Sequence, residues 1–85
     1  MTVYRLRMRV PDLRVQADGV QIKQILLNAP GIDRIVADHE AGVLEVTTAA
    51  QDGGAEVIRE LTGGGYPPSE VERIEAGSRS AESLL

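Results

Sequence analysis

The sequence has 85 residues and contains no cysteine. This absence excludes disulfide bonds, thiolate metal ligands and cysteine nucleophiles. Phenylalanine and tryptophan are also absent, and two tyrosines are the only aromatic residues. The chain therefore lacks aromatic platforms on which nucleic-acid bases could stack, and its core must be built from valine, isoleucine, leucine and alanine.

Positive charge is scarce as well. Nine lysines and arginines against 13 aspartates and glutamates give a net charge of −4 at pH 7, which opposes attraction to a phosphate backbone or an anionic membrane. No apolar run approaches the roughly 20 residues that span a bilayer, and the first residues lack the apolar segment of a signal peptide. We therefore expect no nucleic-acid or membrane partner and a cytoplasmic location.

Hydrophobic residues make up 42% of the sequence and are spread along it, which predicts one packed domain rather than a disordered chain. We expect the folded domain to cover residues 1–76 and a flexible tail to cover residues 77–85. A domain of this size has little volume for an enclosed active site. The composition therefore favours binding over catalysis.

Apolar and basic residues alternate strictly over residues 3–10, a pattern typical of a half-buried strand. After a loop that begins at Pro11, apolar residues recur at helical spacing. Asp18 is placed to act as the N-cap of this helix, and Pro30 requires it to stop by Ala29. The apolar positions of the helical pattern are Val20, Ile22, Ile25, Leu26 and Ala29.

The second half of the chain repeats strand and helix patterns. Ile32–Asp38 and Val43–Thr48 predict a β-hairpin, residues 55–62 predict a short helix that the glycines at 63–65 end, and residues 69–75 predict a last strand. The order is βαββαβ. This order predicts an α+β, ferredoxin-like sandwich with a four-stranded antiparallel sheet and two helices on one face.

Several short motifs stand out: Ile22-Lys23-Gln24-Ile25-Leu26, Ala29-Pro30-Gly31-Ile32, the hairpin residues Asp38, Gly42, Val43, Leu44 and Val46, and Gly65-Tyr66-Pro67. On these motifs, residues 10–71 resemble the heavy-metal-associated domain of copper chaperones, mercury carriers and metal-pumping ATPases. That family has a Pro-Gly-Val turn after its first helix and a Gly-Tyr pair ahead of its last strand. The resemblance implies the same βαββαβ fold.

The resemblance fails where the family does its chemistry. The family carries Cys-x-x-Cys in the loop before the first helix, and counting back from Pro30 places Val15 and Asp18 at the two sulfur positions. Valine cannot ligate a metal, and a carboxylate is a hard ligand that a soft ion such as Cu(I) does not prefer. We therefore expect a non-catalytic interaction module that has lost thiolate metal ligation and holds no cofactor.

Two alternatives remain open. The first is a divergent metal carrier with oxygen and nitrogen ligands at Asp38, His39 and Glu40, although polar residues also collect at hairpin tips for solvation, and zinc sites usually need three or four ligands. The second is an enzyme similar to acylphosphatases, which share this topology and whose phosphate loop residues 14–16 faintly resemble. The charge of Asp18 opposes an anionic substrate in such an enzyme. Apart from that family, Asp18 is either a catalytic carboxylate or the cap of the first helix, and its position favours the cap because it satisfies backbone donors that a helix start leaves free.

Candidate interaction surfaces are the sheet and the tail. Arg5, Arg7 and Arg9 predict a basic stripe on the open face of the sheet, which either receives an acidic protein partner or pairs with glutamates of the neighbouring strands. These glutamates are Glu45 and either Glu70 or Glu72. A free sheet edge would allow a homodimer. Leu84 and Leu85 end a polar stretch that loosely resembles encapsulin cargo peptides, which suggests a docking peptide.

Overall fold

The structure, a computed structural model, describes residues 3–49, 52 and 54–77, with residues 76 and 77 described by their backbone alone. Its elements are β1 (Val3–Arg9), α1 (Gln16–Leu26), β2 (Ile32–Asp38), β3 (Val43–Thr48), α2 (Ala55–Gly63) and β4 (Glu70–Gly77). The predicted βαββαβ order and the predicted bounds of β2 and β3 are confirmed. The predicted tail residues Leu84 and Leu85 lie outside the described residues.

The four strands form one antiparallel sheet in the order β2-β3-β1-β4. Both helices pack on the same face, because buried residues of both contact the inward side chains of β1 and β3. This is the predicted ferredoxin-like sandwich. It leaves β2 and β4 as the two edge strands and leaves the other face of the sheet open. Neither helix has the length and apolarity needed to cross a membrane, within the described part of the chain.

The core lies between the sheet and the helices. Alternate residues of β1 and β3 point into it, as the alternation of the sequence predicts, and one face of each helix closes it. Each such side chain contributes about 1.5–3 kcal/mol relative to an exposed one. The fully buried hydrophobic residues are Leu6, Met8, Val10, Leu13, Ile22, Leu26, Leu44, Val46, Val57 and Leu61.

Two expectations about α1 were wrong. Val20 was expected on the buried face of the helix but is 52% exposed. Consecutive helical residues are separated by about 100°, so Val20 lies about 160° away from the buried Ile22 and the two cannot share a face. Ala29 was expected on the same helical face, but α1 ends at Leu26. Ala29 is buried in the turn that follows the helix.

The start of α2 depends on one aspartate and one glycine. The Asp52 carboxylate accepts backbone N–H groups from Gly54 at 2.9 Å and Glu56 at 3.0 Å, which satisfies donors that a helix start leaves free. Gly54 is the N-cap and has φ +99°, a left-handed conformation that residues with a Cβ rarely adopt. It is also buried against Leu6 of β1. The same residue therefore sets the turn into α2 and its distance from the sheet.

Strand β4 is exposed on both faces. Its register with β1 places Val71 on the helix side, opposite Met8, and Ile74 on the open face, opposite Arg5, and both apolar side chains are more than 40% exposed. This confirms their predicted opposite parity. On the helix side the Arg73 guanidinium lies 5.3 Å from the centre of the β1 Tyr4 ring, a cation–π distance.

Candidate functional site

The loop between β1 and α1 leads to Val15 and Asp18, the positions that the family resemblance aligns with the two metal-binding cysteines. Two backbone hydrogen bonds hold its first half. Val10 donates its N–H to the carbonyl oxygen of Gly42 in the β2–β3 hairpin at 2.8 Å, and Leu13 donates its N–H to the carbonyl oxygen of Val10 at 3.0 Å. Because Val10 and Leu13 are also fully buried, the loop is held against the core up to residue 13.

Asp18 holds the remaining part of the loop. Its Oδ2 accepts the backbone N–H groups of Arg14 and Val15, both at 3.0 Å. Its Oδ1 accepts the hydroxyl of Tyr66 at 2.9 Å. One carboxylate therefore joins the loop, the first turn of α1 and the segment that leads into β4.

The predicted role of Asp18 as N-cap was wrong by three residues. The N-cap of α1 is Val15, and Asp18 is the third residue of the helix. A carboxylate at that position can reach back to the N–H of the N-cap residue, which a valine side chain cannot bond itself. Asp18 therefore satisfies the helix start from inside the first turn.

These bonds change the acidity of both side chains. The N–H of Arg14 has the largest effect in lowering the pKa of Asp18 below its ordinary value of 3.8, followed by the N–H of Val15 and the Tyr66 hydroxyl. The same contact with the Asp18 carboxylate raises the pKa of Tyr66 above its ordinary value of 10.0. The structure thus favours an ionised Asp18 beside a neutral tyrosine, as donors to a carboxylate do.

We expect Asp18→Asn to lower the urea midpoint of unfolding at neutral pH. Because the folded pKa of Asp18 is depressed, its stabilisation is present above the unfolded pKa of about 3.9 and is lost as pH falls through the folded value. The midpoint difference between the unaltered protein and Asp18→Asn should therefore shrink on acidification to about pH 2. Circular dichroism during urea titration measures both midpoints.

Asp12→Asn is the matched control, because Asp12 is an exposed carboxylate in the same loop. It should leave the midpoint nearly unchanged at every pH. A difference for Asp18→Asn that stays constant on acidification would contradict the ionised, bonded carboxylate.

Val15 offers nothing to a metal. Its side chain is apolar and 55% exposed at the start of α1. The described residues contain no group of three or more histidine, aspartate or glutamate side chains close enough to hold a metal ion. A cation at this loop would therefore have to compete with three donors for Asp18 alone.

The hairpin tip lies beside the same loop. The Oδ1 of Asp38 accepts the N–H groups of Glu40 at 3.1 Å and Ala41 at 3.2 Å, so its carboxylate closes the turn between β2 and β3. His39 is half-buried and lines an open cavity of about 470 Å³ together with Arg14 of the loop. Metal binding by Asp38, His39 and Glu40 stays a prediction.

The basic stripe lies on the open face as predicted. The register places Glu45 and Glu72 on either side of Arg7, and Glu70 beside Arg9. The Nε of Arg9 lies 3.1 Å from the Oε1 of Glu70, with both side chains mostly exposed, so the pair contributes little stability. The glutamates balance the stripe, and its use by an acidic partner stays a prediction.

Sequence reasoning missed the bond between Asp18 and Tyr66. The two residues are 48 positions apart, and periodicity carries no information about contacts over such a distance. The Gly-Tyr pair was noticed only as part of the family resemblance. The signal available in the sequence is Tyr66 itself, one of two aromatic residues, because the hydroxyl of a buried tyrosine usually finds a hydrogen-bond partner.

No family model matches the chain, and no curated protein matches its sequence significantly. Its fold does match solved structures. The NMR structure of the heavy metal binding protein TM0320 from Thermotoga maritima is 20% identical, with a TM-score of 0.69 over 82% of this chain and 98% of that chain. The crystal structure of oxidized MerP from Ralstonia metallidurans CH34 is 18% identical, with a TM-score of 0.72 over 82% of this chain and 97% of that chain. The chain therefore shares the ferredoxin-like fold of these two proteins.

Proposed function

We propose that this protein is a non-catalytic, cytoplasmic interaction module that uses the fold of heavy-metal-binding proteins to contact another protein. One observation carries the proposal. Asp18, at the second sulfur position implied by the family resemblance, uses both carboxylate oxygens to hold its own loop through three donors. The position that would bind metal has a structural role instead.

A metal carrier needs ligand atoms that are free to bind the ion and to release it again. Val15 has no ligand atom, and Asp18 would have to give up bonds to two backbone N–H groups and a hydroxyl. The Tyr66 hydroxyl is part-buried, and a partly buried donor that loses its acceptor is costly. Metal binding at this loop is therefore opposed both by the kind of ligand and by the bonds already made.

The same bonds oppose the acylphosphatase-like alternative. An enzyme of that kind would use free backbone N–H groups of the loop to hold an anion. Here the N–H groups of Arg14 and Val15 already bond a carboxylate of the protein. Hydrolysis of a small acyl phosphate tests this alternative, and turnover that disappears in Arg14→Ala would replace the proposal.

Calorimetry on metal-stripped protein tests the proposal against metal transport. We expect no heat of binding for Cu(I), Zn(II) or Ni(II) at micromolar protein. The similarity of the fold to the heavy metal binding protein TM0320 favours metal binding as the second candidate function. Tight binding with a defined stoichiometry would establish that function, and its loss in His39→Ala would locate the site at the hairpin tip.

The sheet edges β2 and β4 supply the means of protein contact, because edge strands present backbone groups that another strand can pair with. The partner is a different protein or a second copy of this chain. Light scattering over a wide concentration range separates the two. A monomer at all concentrations would remove self-association and leave a different protein as the partner.

A further inference from the structure

The strongest unassigned feature is the groove between α1 and the edge strand β2. Helix α1 touches this strand at Gly19, where an added Cβ would lie only 3.2 Å from the Cβ of Ala37. Gly19 and Ala37 line a cavity of about 250 Å³, and a second cavity of about 410 Å³ lies further along the groove. Lys23 lines both of them, so its side chain separates one cavity from the other.

The rim of the groove is apolar and exposed. Val20 of α1 and Leu27, the C-cap of α1, lie about one helical turn before and after Lys23, and they are 52% and 79% exposed. Val20 lines the smaller cavity and Leu27 the larger one. Ile35 of β2 lies half-buried at the floor of the larger cavity. Each cavity therefore offers apolar surface on both walls, and a side chain that filled it would remove that surface from water.

The strand side of the groove also carries backbone groups that a partner can bond. Backbone groups of an antiparallel strand alternate between its two neighbours, and the carbonyl oxygen of Gly42 bonds Val10 of β1. In β3, Val43 and Glu45 therefore bond the other neighbour, β2, through their partners Asp38 and Val36. The N–H and C=O groups of Ile35 and Ala37, which alternate with these residues along β2, point away from the sheet. Only an extended backbone can bond both residues at once.

We propose that this groove binds an extended peptide segment of a partner protein, which adds to β2 as a fifth strand. The inference rests on the proposed function and names its site and its partner chemistry. Alternate residues of an added strand point to the same side, about 7 Å apart. The first and fifth of five residues then enter the two cavities, and the third faces Lys23. The preferred five-residue segment has apolar residues at its first and fifth positions and an acidic residue at its third. This pattern is the same in either strand direction.

Charge selects a partner with a carboxylate at the third position. Asp33 and Arg34 line the larger cavity and offset one another, which leaves the Lys23 ammonium as the net charge between the cavities. A second copy fits this groove poorly. Two β2 edges paired about Val36 would bring two α1 helices side by side, and Lys23, midway between Val20 and Leu27, would approach its own counterpart. Two lysine ammonium groups brought together in this way repel one another.

The peptide fluorescein-Thr-Val-Thr-Glu-Thr-Val-Thr-amide, labelled at its N-terminus, tests the inference by fluorescence anisotropy. We expect saturable binding to the full chain, weakened about tenfold or more by Lys23→Gln through loss of the charge pair. Gln21→Glu is the matched control, since it makes the same change in net charge on the outer face of α1 and should alter binding much less. A peptide with lysine in place of glutamate should bind Lys23→Glu better than it binds the unaltered protein.

Amide hydrogen exchange by NMR locates the bound strand. Saturating peptide should slow exchange at Ile35 and Ala37, while the edge of β4 stays unchanged. Protection confined to β4, or no binding of the peptide at all, would overturn the inference. If calorimetry also finds no metal, the proposed function stands with its contact elsewhere; tight metal binding by the unaltered protein would instead overturn the proposed function itself.

Discussion

A variant that carries both Val15→Cys and Asp18→Cys is expected to bind one Cu(I) ion per chain in reducing buffer, whereas the unaltered protein binds none under the same conditions. The structure places Val15 at the N-cap and Asp18 in the first turn of α1, so both sulfur atoms would lie at the same helix end. A helix N-terminus lowers the pKa of a thiol, and thiolates are the ligands that Cu(I) prefers. Competition with a coloured Cu(I) chelator measures the affinity.

Val15→Cys alone is the control, because it supplies one thiolate and keeps the three hydrogen bonds of Asp18. It should leave the ion with the chelator. Circular dichroism must first show that the double variant is folded, since it loses those bonds. A folded double variant that takes no Cu(I) from the chelator would mean that residues 15 and 18 are not the positions of the lost thiolates.

Gly54→Ala is expected to destabilise the fold by about 2–4 kcal/mol, the sum of a left-handed conformation imposed on alanine and of overpacking in the core. An added Cβ would lie 2.4 Å from the Cδ1 of Leu6, and φ at this residue is +99°. Leu6 is itself fully buried in the centre of the sheet, so it has little room to move. In a domain of this size the change should lower Tm by about 10 °C or more.

Gly63→Ala is the matched control at the other end of α2. A Cβ there meets nothing within 4 Å, so this variant should keep or slightly raise Tm, as alanine favours a helix. Combining Gly54→Ala with Leu6→Ala should be less harmful than the two separate losses added together, because the shortened side chain removes the clash. Strict additivity would mean that contact with Leu6 is not the cause.

The parts of the fold that the sequence predicted are those set by local pattern. The alternation of apolar and basic residues in β1 fixes which side faces the core, and the same period sets the bounds of Ile32–Asp38 and Val43–Thr48. Glycine and proline mark the ends of elements because of their own backbone preferences. Such signals need no knowledge of which elements become neighbours.

The parts that the sequence did not predict depend on contacts between distant residues. Asp18 fits the start of a helix in any case, but its bond to Tyr66 exists only because β4 returns beside β1. The exposure of Val20 depends on which face of α1 packs on the sheet, because Val20 lies about 160° away from the buried Ile22. The two-cavity groove likewise needs both elements in place, so no pattern in either one reveals it.

The central position of β1 has a consequence for how the chain is made. Strand β1 pairs with β4, and Arg9 bonds Glu70, 61 residues further along, so during synthesis β1 must wait for β4 before its second edge is covered. Loop closure over such separations slows folding, and a strand that waits with an open edge invites pairing with other chains. We expect the three arginines of β1 to reduce pairing with other chains during synthesis, because charged side chains on an unpaired strand oppose such pairing until β4 covers the edge.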